Sequence, residues 1–156
     1  MISVDIPGFG AAEIKHLVCD YSGTLSIDGN LLDGLKETLN KLSEKVKIHI
    51  LTADTHGKAR SQLEEIDCMI EIIEGENQHI QKENHVRDLG AENVFAIGNG
   101  NNDTLMLSAA RVGVAICLDE GVSAMAVNHA DIVVNSIDDA LGLLFNPNRL
   151  KATLRF

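Results

Sequence analysis

The sequence predicts an α/β domain, a mainly parallel sheet covered by helices on both faces. Apolar runs of about five residues recur along the chain. Helical stretches with one apolar face alternate with them, and the gaps between are short. Parallel strands need crossovers, and helices fill them, so this alternation builds a three-layer arrangement. The 156 residues suffice for a core of their own, and no linker, repeat or low-complexity segment interrupts them. One domain over residues 1–156 is expected.

In order, residues 2–6 and 13–19 read as strands separated by the turn Pro7-Gly-Phe-Gly10, the second ending at Asp20. Residues 24–32 hold an Asp28-Gly29 turn between apolar pairs, the pattern of a small hairpin flap. Asp33 is expected to cap a helix running to about Ser43, with Leu35, Leu39 and Leu42 on one face. Val46 to Leu51 is a strand ending at Thr52, His56 to Glu65 a helix, and Met69 to Ile73 a strand. Asn77 to Leu89 is a polar helix closed by Gly90. Val94 to Ile97 is a strand that runs into Gly98-Asn-Gly-Asn-Asn-Asp103. Helix Thr104 to Ala110, strand Val112 to Cys117, short helix Gly121 to Asn128 and strand Asp131 to Val134 follow. Ser136 caps a helix over Ile137 to Leu144, and the tail after Pro147 adds a turn.

The composition, 45% hydrophobic and 23% charged, is that of a globular chain. A net charge of -10 excludes a nucleic-acid partner and an anionic membrane surface, which need basic patches. It does not exclude a phosphate ligand, because a divalent cation supplies local positive charge. No apolar run approaches the ~20 residues that span a bilayer, and the acidic start is not a signal peptide. Cys19, Cys68 and Cys117 are an odd number without paired spacing. Buried, reduced thiols in a cytoplasmic protein are expected, rather than a thiolate metal site.

Four features fall at or beside the carboxyl ends of strands, the rim where open α/β sheets bind ligands: Asp20, Thr52, Lys82 and the Gly98–Asp103 loop. Each alone has a plain reading. Asp20 forms a turn, Thr52 caps the next helix, Lys82 is solvated on a polar helix, and the glycines make a turn. His49, between Ile48 and Ile50, reads as structural or solvent-facing, and His56 as a helix-start residue. Asp54 serves a ligand or caps a helix with Thr55. Asp119, Glu120, Asp138 and Asp139 read as acids at helix N-termini.

Together, in order, the features form Asp20-x-x-Gly23-Thr24-Leu25, then Thr52, then Lys82-x-x-x-Val86-x-x-Leu89, then Gly98-x-Gly100-x-Asn102-Asp103. This series resembles the haloacid dehalogenase-like phosphohydrolase superfamily over nearly the whole chain. Leu51-Thr-Ala-Asp54 and Asp20-Tyr-Ser-Gly-Thr-Leu-Ser26 are similar to segments of P-type ATPase phosphorylation domains. The segment between Thr24 and Thr52 is too short for the nucleotide-binding domain of those pumps, or for a cap. The resemblance therefore implies a stand-alone Rossmann-like domain with no cap domain.

The resemblance also implies roles. Asp20 is the nucleophile that forms an aspartyl-phosphate. Mg²⁺, a hard cation, takes oxygen from Asp20, the Ser22 carbonyl, Asn99 and Asp103. Tyr21, Ser22, Gly23, Thr52, Ala53 and Lys82 hold the phosphate, and Lys82 also neutralises charge on Asp20. Thr24 and Asn102 support the site. Two positions depart from the family pattern: Ser22 stands where phosphatases carry an acid/base Asp, and Asn99 where the loop carries a ligand Asp. Acid–base help is worth about 10²–10⁴-fold, so slow hydrolysis or a persistent phosphoenzyme is expected, with weakened Mg²⁺ binding. A regulatory phosphate-binding module without turnover is the alternative. A metal-free dehalogenase fits the Asn102-Asp103 pair poorly. An uncapped site suits a phosphorylated small molecule, a phosphoprotein, or a homo-oligomer whose neighbour supplies the lid.

Overall fold

The computed structural model describes residues 1–54 and 57–156. The chain opens with β1 (Ile2–Ile6) and β2 (Gly10–Ile14), an antiparallel two-stranded sheet of its own. The expected single strand over 13–19 is thus two. Lys15 breaks it by turning its backbone to Asn93 and Lys47 on either side, and β3 (His16–Asp20) enters the main sheet. The flap is β4 (Ser26–Ile27) and β5 (Asn30–Leu31). After it come α1 (Leu35–Ser43), β6 (Lys47–Thr52), α2 (Ala59–Leu63) and β7 (Met69–Ile72). Then follow α3 (Gln78–Asp88), β8 (Val94–Gly98), α4 (Thr104–Ala109) and β9 (Val112–Ile116). The chain closes with α5 (Ala124–His129), β10 (Ile132–Val134), α6 (Ile137–Phe145) and α7 (Pro147–Leu154).

The central sheet has the order β10-β9-β8-β3-β6-β7, and every pairing in it is parallel. Its strands alternate between two cores with the period of a strand. Leu17, Ile48, Ile50, Phe95 and Ile97 face one core with Leu39 of α1, Leu63 of α2 and Leu141 of α6. Val18, Leu51, Val94 and Ala96 face the other with Val86 of α3, Met106 of α4 and Ala126 of α5. Only the flap and α1 lie between Thr24 and β6, so no cap is inserted there.

Several local expectations are corrected. Asp33 does not cap α1: Gly34, at φ 75°, holds the N-cap position without a side-chain bond. The short helix expected from Gly121 starts at Ala124, because Ser123 Oγ accepts from Ala126 N at 2.9 Å. Glu120 is therefore not in a helix and instead accepts from the flap amide of Asp28 at 3.1 Å. The tail forms a full helix opened by Pro147, whose missing N–H costs nothing in the first turn. Cys19 is buried, but Cys68 and Cys117 are only half-buried; all three are free thiols. Thr55 and His56, and with them the start of the helix expected from His56, lie outside the described residues.

Candidate active site

From β3 the chain moves to β6 and β7 on one side, then returns to β8, β9 and β10 on the other. That reversal leaves a crevice outside the carboxyl ends of β3 and β8, where loops cannot cross it. Asp20 is the last residue of β3 and Gly98 the last of β8.

Lys82 reaches this crevice from the second turn of α3. Its ammonium donates to Asp20 Oδ1 at 2.7 Å and to Asp103 Oδ1 at 2.7 Å. Lys82 is 1% exposed, so the solvated reading of a lysine on a polar helix does not hold. Asp103 Oδ2 accepts from the backbone N–H groups of Asn99 and Gly100, both at 2.9 Å. A buried cation is thus paired with two carboxylates, one of which also closes the loop after β8. Such an arrangement offsets the cost of burying charge only because every partner is present.

Around Asp20, Thr24 Oγ1 donates toward Asp20 Oδ2 and Asn99 Oδ1, each at a long 3.4 Å. Asn99 Nδ2 donates to Gly121 O at 3.1 Å, which turns its amide oxygen toward Thr24. Thr52 Oγ1 accepts from Asp54 N at 2.9 Å. Asp54 sits in the left-handed region at φ 48°, and its Oδ1 accepts from Ala59 N at 2.9 Å. It therefore serves the first amide of α2 from outside the helix, whose N-cap position is Lys58, and Thr52 is left to shape the rim.

Two glycines make the close approaches. Gly23 has φ 75°, and a Cβ there would lie 2.4 Å from Asn99 Nδ2. A Cβ on Gly98 would lie 2.6 Å from both Cβ and Cγ of Asp103. Neither separation is tolerable for a carbon atom.

A cavity of about 270 Å³ opens over these groups. Of the residues expected at the site, Asp20, Ser22, Thr52, Ala53, Asn99 and Asn102 line it. Lys82 and Asp103 lie beneath it, buried. The Tyr21 ring turns away: it is 2% exposed, and its hydroxyl donates to the flap carbonyl of Gly29 at 3.1 Å, leaving only its backbone near Asp20. Gln78, not singled out in the sequence, also lines the cavity, and its Oε1 accepts from Asn102 Nδ2 at 3.2 Å. Its position one helical turn before Lys82 is the signal that would have found it.

Burial pushes the Asp20 carboxyl up to about 7; Asp103 adds to this and Lys82 opposes it. For Lys82, burial works against the charge, but Asp20 and Asp103 outweigh it and hold the amine protonated above the usual lysine range.

No protein-family model matches the chain. It is 46% identical over 83 residues to the uncharacterized protein MJ0073 of Methanocaldococcus jannaschii, covering 51% of this chain and 89% of that protein, so the two share a family. Among solved structures, it is similar to the catalytic domain of the CPx-ATPase CopB-B, with 31% identity, a TM-score of 0.59 and 74% of this chain covered. It spans only 46% of that domain's chain. It also has the fold of the 3-deoxy-D-manno-octulosonate 8-phosphate phosphatase of Moraxella catarrhalis, with TM-score 0.64, 18% identity and 91% and 94% of the two chains covered. The chain has the haloacid dehalogenase-like fold. In this chain Ser22 and Asn99 are uncharged, and the buried acids close to Lys82 are Asp20 and Asp103.

Proposed function

We propose that this haloacid dehalogenase-like protein is a Mg²⁺-dependent phosphatase that transfers phosphate through Asp20. The observation that carries the reading is the Lys82 ammonium, 2.7 Å from both Asp20 and Asp103, directly beneath a cavity at the carboxyl edge of the sheet. Phosphoryl transfer asks a protein for little more than an in-line nucleophile and preorganised positive charge.

Asp20 is the nucleophile. One of its carboxylate oxygens forms a bond to phosphorus as the ester P–O bond breaks and the alcohol leaves. Water then attacks the same phosphorus, the Asp20–phosphate bond breaks, and inorganic phosphate departs with Asp20 restored. Lys82 stays charged throughout and stabilises both states. Thr52 and the backbone N–H groups from Tyr21 to Gly23 hold the phosphate oxygens, and Ala53 forms the adjoining wall. Ser22, beside Asp20, is a poor proton donor, so loss of the alcohol and hydrolysis of the phosphoenzyme are both slow.

The donor set fits a hard cation. Asp20 Oδ2 and Asn99 Oδ1 flank the same Thr24 hydroxyl at 3.4 Å each, and Ser22 adjoins them. These oxygens, the Ser22 carbonyl and Asp103 would hold Mg²⁺, Asp103 also fixing Lys82 and the loop. When bound, the ion neutralises phosphate charge. The magnesium and phosphate ions in the Moraxella phosphatase complex support Mg²⁺ as the cofactor. Free thiols and the acidic charge fit a cytoplasmic setting, and no described helix is long and apolar enough to cross a membrane. The substrate is a phosphorylated small molecule or a phosphoprotein.

The test is turnover of an aryl phosphate with Mg²⁺ and with chelator, in wild type and Asp20→Asn. Mg²⁺-dependent turnover that disappears in Asp20→Asn is expected. Ser22 and Asn99 favour a second reading, a phosphate-binding module. Tight vanadate binding with neither turnover nor phosphoenzyme would establish it instead.

A further inference from the structure

A second cavity adjoins the Asp20 cavity. Asn99 and Gly100 line both, and the second, of about 400 Å³, runs along the loop between β9 and α5 past Glu120, Gly121 and Ser123. An ester whose phosphate sits at Asp20 has room for its alcohol here. The wall between the cavities is built rather than incidental: Asn99 Nδ2 donates to Gly121 O at 3.1 Å, and Ser123 N donates to Asn99 O at 2.8 Å.

The charge of this cleft is one-sided. Among the described residues that line the two cavities there is neither arginine nor lysine. Lys82 lies beneath Asp20, and its ammonium already serves two carboxylates. The acidic side chain in the second cavity is Glu120, exposed there and accepting from the flap amide of Asp28 at 3.1 Å. Apart from Asp20 itself and the apolar Val122, the lining offers neutral hydrogen-bonding groups, among them Asn101 and Ser123 in the second cavity and Gln78 and Asn102 in the first. A carboxylate or second phosphate on the alcohol would meet Glu120 without a counter-charge, in a chain that already carries -10. Hydroxyl groups would find neutral partners, and an ammonium would find Glu120.

Resting on the phosphatase reading, we propose that the substrate is a phosphomonoester of an uncharged polyol or an amino alcohol, selected against esters with a second anionic group by Glu120. The shared wall at Asn99 directs the alcohol from Asp20 toward Glu120.

The experiment compares three small esters: glycerol 1-phosphate, O-phosphoethanolamine and 3-phosphoglycerate. In wild type with Mg²⁺, kcat/KM for the first two should exceed that for 3-phosphoglycerate by about tenfold or more, the scale of one opposed charge at partial screening. Glu120→Gln should narrow the gap, and Glu120→Lys should favour 3-phosphoglycerate, with thermal melting confirming that both variants fold. Equal or better use of 3-phosphoglycerate by wild type overturns the proposal, as does an unchanged ranking in Glu120→Lys. Calorimetric binding of the same esters to Asp20→Asn with Mg²⁺ separates this inference from the reading beneath it. Absent turnover with the ranking kept in binding sinks only the phosphatase. Equal affinities, or no binding of any ester, sink the substrate class.

Discussion

Lys82 Nζ stands 2.7 Å from Asp20 Oδ1, joining the middle of a helix to the last residue of the central strand. The same ammonium reaches Asp103 at 2.7 Å, so one side chain ties β3, α3 and the loop after β8. Replacing it leaves two buried carboxylates facing each other. Lys82→Met should lower unfolding free energy by about 3–5 kcal/mol, the cost of stranding a buried charge. Phosphate-ester turnover should fall by about 10²–10³-fold or more. Urea denaturation and steady-state kinetics check the two effects separately. A stability loss without an activity loss would remove Lys82 from the chemistry.

Ser22→Asp restores a carboxylic acid beside Asp20. Hydrolysis of the phosphoenzyme should accelerate, within the range of about 10²–10⁴-fold available to acid–base catalysis. Chase of a ³²P-labelled enzyme with unlabelled substrate reads the lifetime directly. A lifetime unchanged or lengthened would mean that the missing acid does not limit turnover.

Asn99→Asp adds a charge where Asn99 Oδ1 already faces the Thr24 hydroxyl. The Mg²⁺ concentration for half-maximal activity should drop. An unchanged requirement would rule Asn99 out as a ligand.

Gly98→Ala tests the packing that holds Asp103. The added carbon would lie 2.6 Å from Asp103 Cβ, so either the loop after β8 or the acid must shift. A loss of about 1–3 kcal/mol is expected from overpacking, accompanied by reduced activity. Thermal melts together with turnover at saturating Mg²⁺ would show whether the loop yields without cost to the site.

His49 predicts a pH dependence of stability. It is 4% exposed, and its two ring nitrogens lie 3.1 Å from His16 Nδ1 and 3.2 Å from His85 Nε2. Burial pulls its pKa down to about 4, with His85, His16 and Lys47 adding to the shift. The unfolded chain, with a histidine near 6.5, binds more protons than the folded one between about 4 and 6.5. Stability from this group is therefore present above pH 6.5 and is lost as pH falls toward 4. Chemical denaturation across that window should show the decline, and His49→Gln should flatten it. An equal slope in the variant would place the acid sensitivity elsewhere.

Much of this was legible in the sequence because it is local. The apolar run His16–Cys19 announces a buried strand, and Asp20 at its end announces a rim. Periodic Leu35, Leu39 and Leu42 announce the buried face of α1. The failures are instructive in the same terms. Asp33 is a good cap by type, yet Gly34 takes the cap position because it alone there tolerates φ 75°. Glu120 looked like a helix acid, but the flap amide of Asp28 reaches it first. His49 alternates with isoleucines, which cannot reveal that His16 and His85 meet it from another strand and a helix.

The sequence by itself determined the strand and helix alternation, the two-sided parallel sheet, and the order of the residues that gather at its carboxyl edge. Those follow from short-range periodicity, which each segment carries alone. Only the tertiary structure decided that Lys82 is buried between two acids, that the Tyr21 ring turns from the cavity, that Gln78 borders it, and that Glu120 lines the cavity beside it. These depend on strand order and on how α3 and the flap dock. Both join residues far apart in the chain, and burial then sets their charge.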